Sequence, residues 1–207
     1  MTDEEAKAIG KALEVIHDFG AYAGEILDTA RHDLFALAVG DKLKLRRIKS
    51  AARLIEQAKP YLDKIDEARK SKPSPSVVIP LLEAAVDEER GELRDLWARL
   101  LANAAIDGGA KVRRDFIETV RQFEPLDALV FDAFGVQMIA GASNQEQYTS
   151  LTNFLGDRTP RGTHGEDFIV SEEALVKLIC LSKPGTNPRY FNETPYGKAL
   201  RRALTVT

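Results

Sequence analysis

The chain has 207 residues, enough for one or two domains around a sizeable core. A hydrophobic content of 44% with 29% charged residues excludes a disordered tail, a collagen and a small disulfide scaffold. Lys and Arg number 29 against 32 Asp and Glu, a formal charge of -3, so no global basicity advertises nucleic acid. The lone cysteine, Cys180, sits in an apolar run, cannot close an intramolecular disulfide and says nothing against a reducing cytoplasm. The opening Met-Thr-Asp-Glu-Glu lacks the basic start and apolar stretch of a secretory signal. No window of about 18 uncharged apolar residues occurs, so the expectation is a cytoplasmic protein without a transmembrane segment.

From Thr2 to Lys72 the only proline is Pro60, and helix-favouring residues dominate. Leu45, Ile48, Ala52, Ile55 and Leu62 share one helical side, which predicts an amphipathic helix ended by the proline-rich Ser71–Ser76 segment. A second helical unit is expected from Val77 to Ala105, with Leu82, Val86, Leu93, Trp97, Leu100 and Ala104 as its apolar side. Gly91 weakens its middle and predicts a kink or two shorter helices, and Asp107-Gly108-Gly109 closes it. Phe116, Ile117, Val120 and Phe123 mark a short amphipathic piece, and Pro125 opens a helix through Phe134.

Between Gly135 and Gly165, glycines and Pro160 predict loops around one short helix near Tyr148–Leu155. Beyond it Ser171 is the expected N-cap of a helix with Glu172 and Glu173 in its first turn. Pro184-Gly185-Thr186-Asn187-Pro188 reads as a turn between two short extended runs, and Thr194-Pro195 as the cap and first residue of a final helix. The predicted organisation is an N-terminal helical region (1–72), central helices (73–140), a loop-rich segment (141–165) and a C-terminal helix–hairpin–helix part (166–207). The fold class is mainly α: a multi-helix bundle with a small, winged-helix-like C-terminal subdomain.

Charge is polarised along the chain: residues 1–40 hold three basic and eight acidic side chains, residues 41–53 six and one, and residues 83–107 three and seven. Lys42, Arg46, Lys49 and Arg53 line one helical stripe of about 16 Å, opposed to Ile48, Ala52 and Ile55. Such a row is a candidate contact for the phosphates of nucleic acid or for anionic headgroups; a solvated face, or one paired with the acidic segment, is the other reading. No aromatic residue interleaves with these four cations, so a single-strand stacking platform is not supported by them.

No cofactor and no metal are expected. His17, His32 and His164 lie far apart without a cysteine partner, and no phosphate-binding glycine loop, dinucleotide fingerprint or Gly-x-Ser-x-Gly motif occurs. Cys180, in apolar surroundings, is expected to be inert. Glu83, Asp87, Glu88, Glu89, Glu92 and Asp95 include pairs spaced for a divalent ion, but Arg90, Arg94 and Arg99 among them favour structural salt bridges.

The string Pro80-Leu81-Leu82-Glu83-Ala84-Ala85, followed by Glu92-Leu93-Arg94-Asp95-Leu96-Trp97-Ala98-Arg99-Leu100-Leu101-Ala102-Asn103-Ala104, resembles the abortive-infection alpha family of bacterial proteins. Gly40-Asp41-Lys42-Leu43 with Arg46-Arg47 is similar to that family's basic helix, and Gln122–Ala128 to a segment ending in Leu-Ser-Pro-Leu-Asp, with Phe123-Glu124 in place of Leu-Ser. Tyr190–Lys198 resembles its closing Leu-Thr-Pro-x-Gly-Arg stretch, with Asn192-Glu193 where the family has a Leu before Thr-Pro. The resemblance implies a role in anti-phage defence, with Trp97, Leu100 and Leu101 as its signature, and carries over no catalytic residue. Spacing assigns those three to packing.

The favoured function is a non-enzymatic binding or regulatory module that contacts a phage or host macromolecule, protein or nucleic acid, and forms a homo-oligomer. Arg189, Lys198, Arg201 and Arg202 are further candidate phosphate contacts in the C-terminal part. The alternatives are a metal-dependent nuclease using the 83–95 acidic cluster, and a membrane-surface effector using the apolar side Ile26, Leu27, Ala30, Leu34, Leu37 and Ala38.

Overall fold

A computed structural model of the chain describes residues 7, 10, 11, 42–71, 73–137, 153, 155, 159, 162–183 and 191–207. It is mainly helical, with seven α-helices among the described residues and a small two-stranded antiparallel sheet near the C-terminus. The chain divides into two compact units. The first holds residues up to Glu89, Arg94–Arg121 and Ala203–Thr207, and the second Arg90–Leu93 and Gln122–Arg202.

In the first unit, α1 (Lys42–Leu62) buries Ala51, Leu54, Ile55, Ala58 and Leu62 along one stripe. It packs on α2 (Pro75–Ala85), which also packs on α4 (Arg114–Val120). Pro75 sits in the first turn of α2, where a missing N–H is harmless, but Pro80 lies inside it. The carbonyl four residues before Pro80, that of Ser76, therefore lacks its helical donor, and Arg114 Nε supplies one at 2.8 Å. α3 (Gly91–Ala104) contributes Leu96, Trp97, Leu100, Leu101 and Ala104 to this interior. Just beyond its end Asp107-Gly108-Gly109 form a 3-10 turn, all at positive φ, and a Cβ on Gly109 would stand 3.0 Å from the Ala104 carbonyl oxygen. That turn is tied down by the Gly108 N–H on Ser71 Oγ at 2.6 Å and by the Arg69–Asp107 ion pair.

In the second unit, α5 (Pro125–Gln137) and α6 (Gly165–Lys177) pack along each other. Phe168, Ser171 and Leu175 form the inner face of α6, and Phe123 meets Phe131 edge-on at 5.7 Å. The N-terminus of α5 is closed from within: Asp127 Oδ2 accepts the Glu124 N–H at 2.8 Å, while its Oδ1 accepts Ser171 Oγ at 2.6 Å. Burial raises the Asp127 carboxyl above its ordinary range, and the two donors partly offset this. After α6, β1 (Leu181–Ser182) pairs antiparallel with β2 (Asn192–Glu193), and α7 (Pro195–Leu204) follows. Thr194 joins these pieces: its hydroxyl donates to the Ile179 carbonyl at 2.5 Å and accepts the Gly197 N–H at 2.9 Å. A Cβ on Gly197 would lie 2.1 Å from the Cys180 carbonyl oxygen, so only glycine fits there.

Several expectations are corrected. The first helix ends at Leu62, nine residues before the proline-rich segment begins at Ser71, because Asp66 Oδ1 accepts the Ala68 N–H and starts a separate 3-10 turn, Glu67–Arg69. The two shorter helices that Gly91 predicted are present, with Gly91 starting the second, but the apolar side differs: α2 turns Val78, Leu81 and Ala85 inward, leaving Leu82 and Val86 half-buried. The helix opened by Pro125 continues through Gly135 to Gln137. Ser171 is not an N-cap: α6 starts at Gly165, where the Asp167 carboxylate accepts the His164 N–H at 2.7 Å, and Ser171 is buried in mid-helix. Residues 138–152, the Pro184–Pro188 turn, Arg189, His17, His32 and the Ile26–Ala38 stripe lie outside the described residues.

Two predictions follow from the second unit. Gly197→Ala forces α7 away from the Cys180 carbonyl, and urea denaturation is expected to show a loss of about 3 kcal/mol or more. Glu172, half-buried on α6, is pushed from 4.5 to about 7 by burial, with Lys183 opposing and Glu173 reinforcing the shift. A raised folded-state value means that the native state binds the proton more tightly than the unfolded chain, so stability declines as pH rises from 4.5 to about 7. Glu172→Gln removes that decline and is expected to be more stable than the parent at pH 8 by about 2 kcal/mol, measured by denaturation at pH 4.5 and pH 8.

Candidate functional site

The basic stripe of α1 divides into two parts with different surroundings. Lys42 opens the helix, its side chain outside the described residues. Arg46 pairs with Glu89, which raises the guanidinium's proton affinity further. Its neighbour Arg47 grips Asp87 through two bonds, Nε to Oδ1 at 3.1 Å and Nη2 to Oδ2 at 2.7 Å. That guanidinium holds the Asp87 carboxyl below the usual range against the opposing effect of burial. The link between α2 and α3 thus neutralises Arg46 and Arg47. Farther along, Lys49 is half-buried and Arg53 is exposed, with no carboxylate partner among the described residues.

Arg53 lies at the head of a groove of about 650 Å³ between α1 and α3. Glu56, Gln57, Pro60, Tyr61 and Lys64 continue its lining on the α1 side, and Arg94 and Asp95 face them from α3. Positions 53, 57 and 61 succeed one another at steps of four, which places them on one side of α1, and Lys64 follows two residues past its end. Two contacts bridge the groove: Arg94 Nε donates to Gln57 Oε1 at 3.3 Å, and the Tyr61 hydroxyl donates to Asp95 Oδ1. Asp95 also receives Arg99 at 2.9 Å, so its charge is balanced within α3. Lys64 Nζ stands 6.0 Å from the centre of the Tyr61 ring.

The acidic residues of the 83–95 segment serve several partners: Asp87 and Glu89 the start of α1, and Asp95 the Tyr61 hydroxyl and Arg99. Glu83 is exposed and Glu92 half-buried, and no group of three or more His, Cys, Asp or Glu placed to hold a metal ion occurs among the described residues. Arg90 pairs with Glu124. Cys180 is buried, and burial with the nearby Glu193 and Asp127 carboxylates pushes its thiol up to about 12. In the C-terminal part Arg201 is committed to Glu193, with Nε at 2.8 Å from Oε1, while Lys198 and Arg202 are exposed.

Trp97, Leu100 and Leu101 lie wholly in the interior of the first unit. Their polar companions in the same string have a separate task. Asn103 Nδ2 donates to the carbonyls of Ala203 at 2.8 Å and Thr205 at 3.2 Å, and Arg99 Nη1 donates to that of Leu204 at 3.2 Å. These are carbonyls that the end of a helix leaves without partners, and a cation there also faces the negative end of the helix dipole.

Sequence reading placed Arg53 on the stripe but missed Tyr61, Lys64 and Arg94 as its neighbours. Extending the same register past Arg53 finds Gln57, Tyr61 and Lys64; Arg94 has no such signal, because its place depends on how α3 meets α1.

These features define a mainly helical protein whose charged surface is divided between internal ion pairs and an open groove. The chain belongs to the abortive infection alpha family, whose model matches residues 44–202. Searches of curated proteins and of solved structures returned no match. No helix among the described residues is long and apolar enough to cross a membrane.

Tyr61→Phe removes the hydroxyl donor to Asp95 and keeps the ring. It is expected to lower stability by about 1 kcal/mol, read as a lower urea midpoint at unchanged slope.

Proposed function

We propose that this chain is a phage-defence protein that works as a non-enzymatic helical binding or regulatory module in the bacterial cytoplasm. Its partner is a phage or host macromolecule, engaged through the charged surface of α1. Membership of an abortive infection family supports the defence role. The observation that carries the binding reading is the division of labour on α1: Arg46 and Arg47 are neutralised by Glu89 and Asp87, while Arg53 is exposed at the groove without a carboxylate partner among the described residues. The acidic segment, on this reading, orders α1 and does not hold a catalytic ion.

The test is plaque formation on cells expressing the full chain. Protection is expected to survive the double substitution Glu83→Gln, Glu92→Gln, and the purified chain is expected to leave RNA and DNA intact in the presence of Mg²⁺ or Mn²⁺. Metal-dependent cleavage that this double variant abolishes, together with loss of protection, would establish a nuclease and overturn the binding reading.

A further inference from the structure

We propose that the groove between α1 and α3 is a track for single-stranded nucleic acid, with Arg53, Arg94 and Lys64 meeting phosphates and Tyr61 stacking on a base. The inference deepens the binding reading above and rests on it. Five observations converge on this surface.

First, three cations without a carboxylate partner among the described residues share this groove. Arg46, Arg47, Arg69, Arg90 and Arg201 all engage carboxylates. Arg53 and Lys64 have no carboxylate partner among the described residues, and Arg94 donates to the neutral amide of Gln57. Second, the opposing charge in the groove is small. Asp95 is already balanced by Arg99 and bonded by Tyr61, which leaves Glu56 as the single carboxylate acting against three cations. Third, the cations are spread out: α1 runs about 14 Å from Arg53 to its end at Leu62 and Lys64 follows just beyond, with Arg94 opposite, on Gln57. A mononucleotide offers phosphate at one end only, whereas a strand of three or four nucleotides offers it along the whole row.

Fourth, the aromatic element is present and positioned. The hydroxyl of Tyr61 is anchored to Asp95, which orients the ring in the groove beside a cation, the arrangement that sequence-tolerant base stacking uses. A duplex, with its bases paired and stacked internally, has no use for that ring. Fifth, the bridging bonds from Arg94 to Gln57 and from Tyr61 to Asp95 hold both walls in place before a ligand arrives, so less ordering is required on binding. The lining has no large aliphatic side chain, which argues against insertion into a lipid surface.

Fluorescence anisotropy with the full chain and labelled 12-nucleotide oligo(dT) and oligo(U) tests this. Binding is expected at 50 mM salt, with three neutralised phosphates giving a slope of about -2 in log affinity against log salt, roughly 20-fold weaker binding at 200 mM. Arg53→Ala with Arg94→Ala is expected to reduce that slope to about -0.7. Lys64→Ala, past the end of α1 and away from the Gln57 bridge, reduces it to about -1.4 and serves as the independent variant should the pair disturb folding, which circular dichroism reports. Tyr61→Phe, which keeps the ring but loses its anchor on Asp95, weakens binding about twofold, and Tyr61→Leu, which loses the ring itself, weakens it about tenfold.

Absence of binding at 50 mM salt overturns the proposal. So does binding that these variants leave unchanged, or equal affinity for duplex DNA, for poly-glutamate or for a mononucleotide. Failure to bind the oligonucleotides while plaque protection stands removes this inference alone. Binding that behaves as expected in a chain that gives no protection supports the groove and removes the defence reading.

Discussion

Burial of Ala51, Leu54, Ile55, Ala58 and Leu62 along one side of α1 sets the rotation of that helix, and with it the direction of each charge it carries. A helix has a single rotational setting once one stripe is inside, so the outward cations have no choice of position. Near its start they meet Asp87 and Glu89 and are neutralised. Past Arg53 they meet the polar side of α3 instead, where the bonds to Gln57 and Tyr61 leave a groove. Exposed ion pairs contribute little stability individually, so the apolar stripe does the positioning and the pairs adjust to it.

Two of the strings that carry the family resemblance have separate mechanical explanations. In the first, Trp97, Leu100 and Leu101 fill the interior while Arg99 and Asn103 reach out to the carbonyls of residues 203–205, so one short stretch both builds a core and finishes another helix. In the second, Thr194 caps α7, Pro195 occupies a position where a missing N–H is harmless, and Gly197 lets the helix come against the Cys180 carbonyl. Neither string requires a reaction to account for it. The Leu-Ser of the family's middle segment is Phe123-Glu124 here, and the Glu124 N–H is satisfied by Asp127 from inside the helix.

What could be read in advance was chemistry that acts between near neighbours. Pro125, Thr194-Pro195 and Asp107-Gly108-Gly109 mark their element boundaries because each restricts its own backbone, and the structure has those boundaries. The start of α6 was hidden, since His164 and Gly165 carry no strong start signal and the closing bond comes from Asp167. Ser171 offered the residue type of a cap, but its partner, Asp127, stands 44 positions away. The same holds for the candidate site: Tyr61 and Asp95 are 34 residues apart and Arg94 and Gln57 are 37 apart, distances over which spacing rules have no reach. The four cations were legible as a stripe; which of them the protein neutralises itself was not, because that depends on where the turn between α2 and α3 falls.

The only cysteine has a consequence for handling this protein. Its sulfur is enclosed, and the backbone oxygen of the same residue is the surface against which Gly197 is pressed. An electrophile in solution therefore finds the sulfur inert while the hairpin and the last helix stay together, and a fast-reacting nucleophile once they separate. The native chain carries its own stopwatch for opening of the C-terminal part, readable from the rate of thiol consumption without any label or engineered probe.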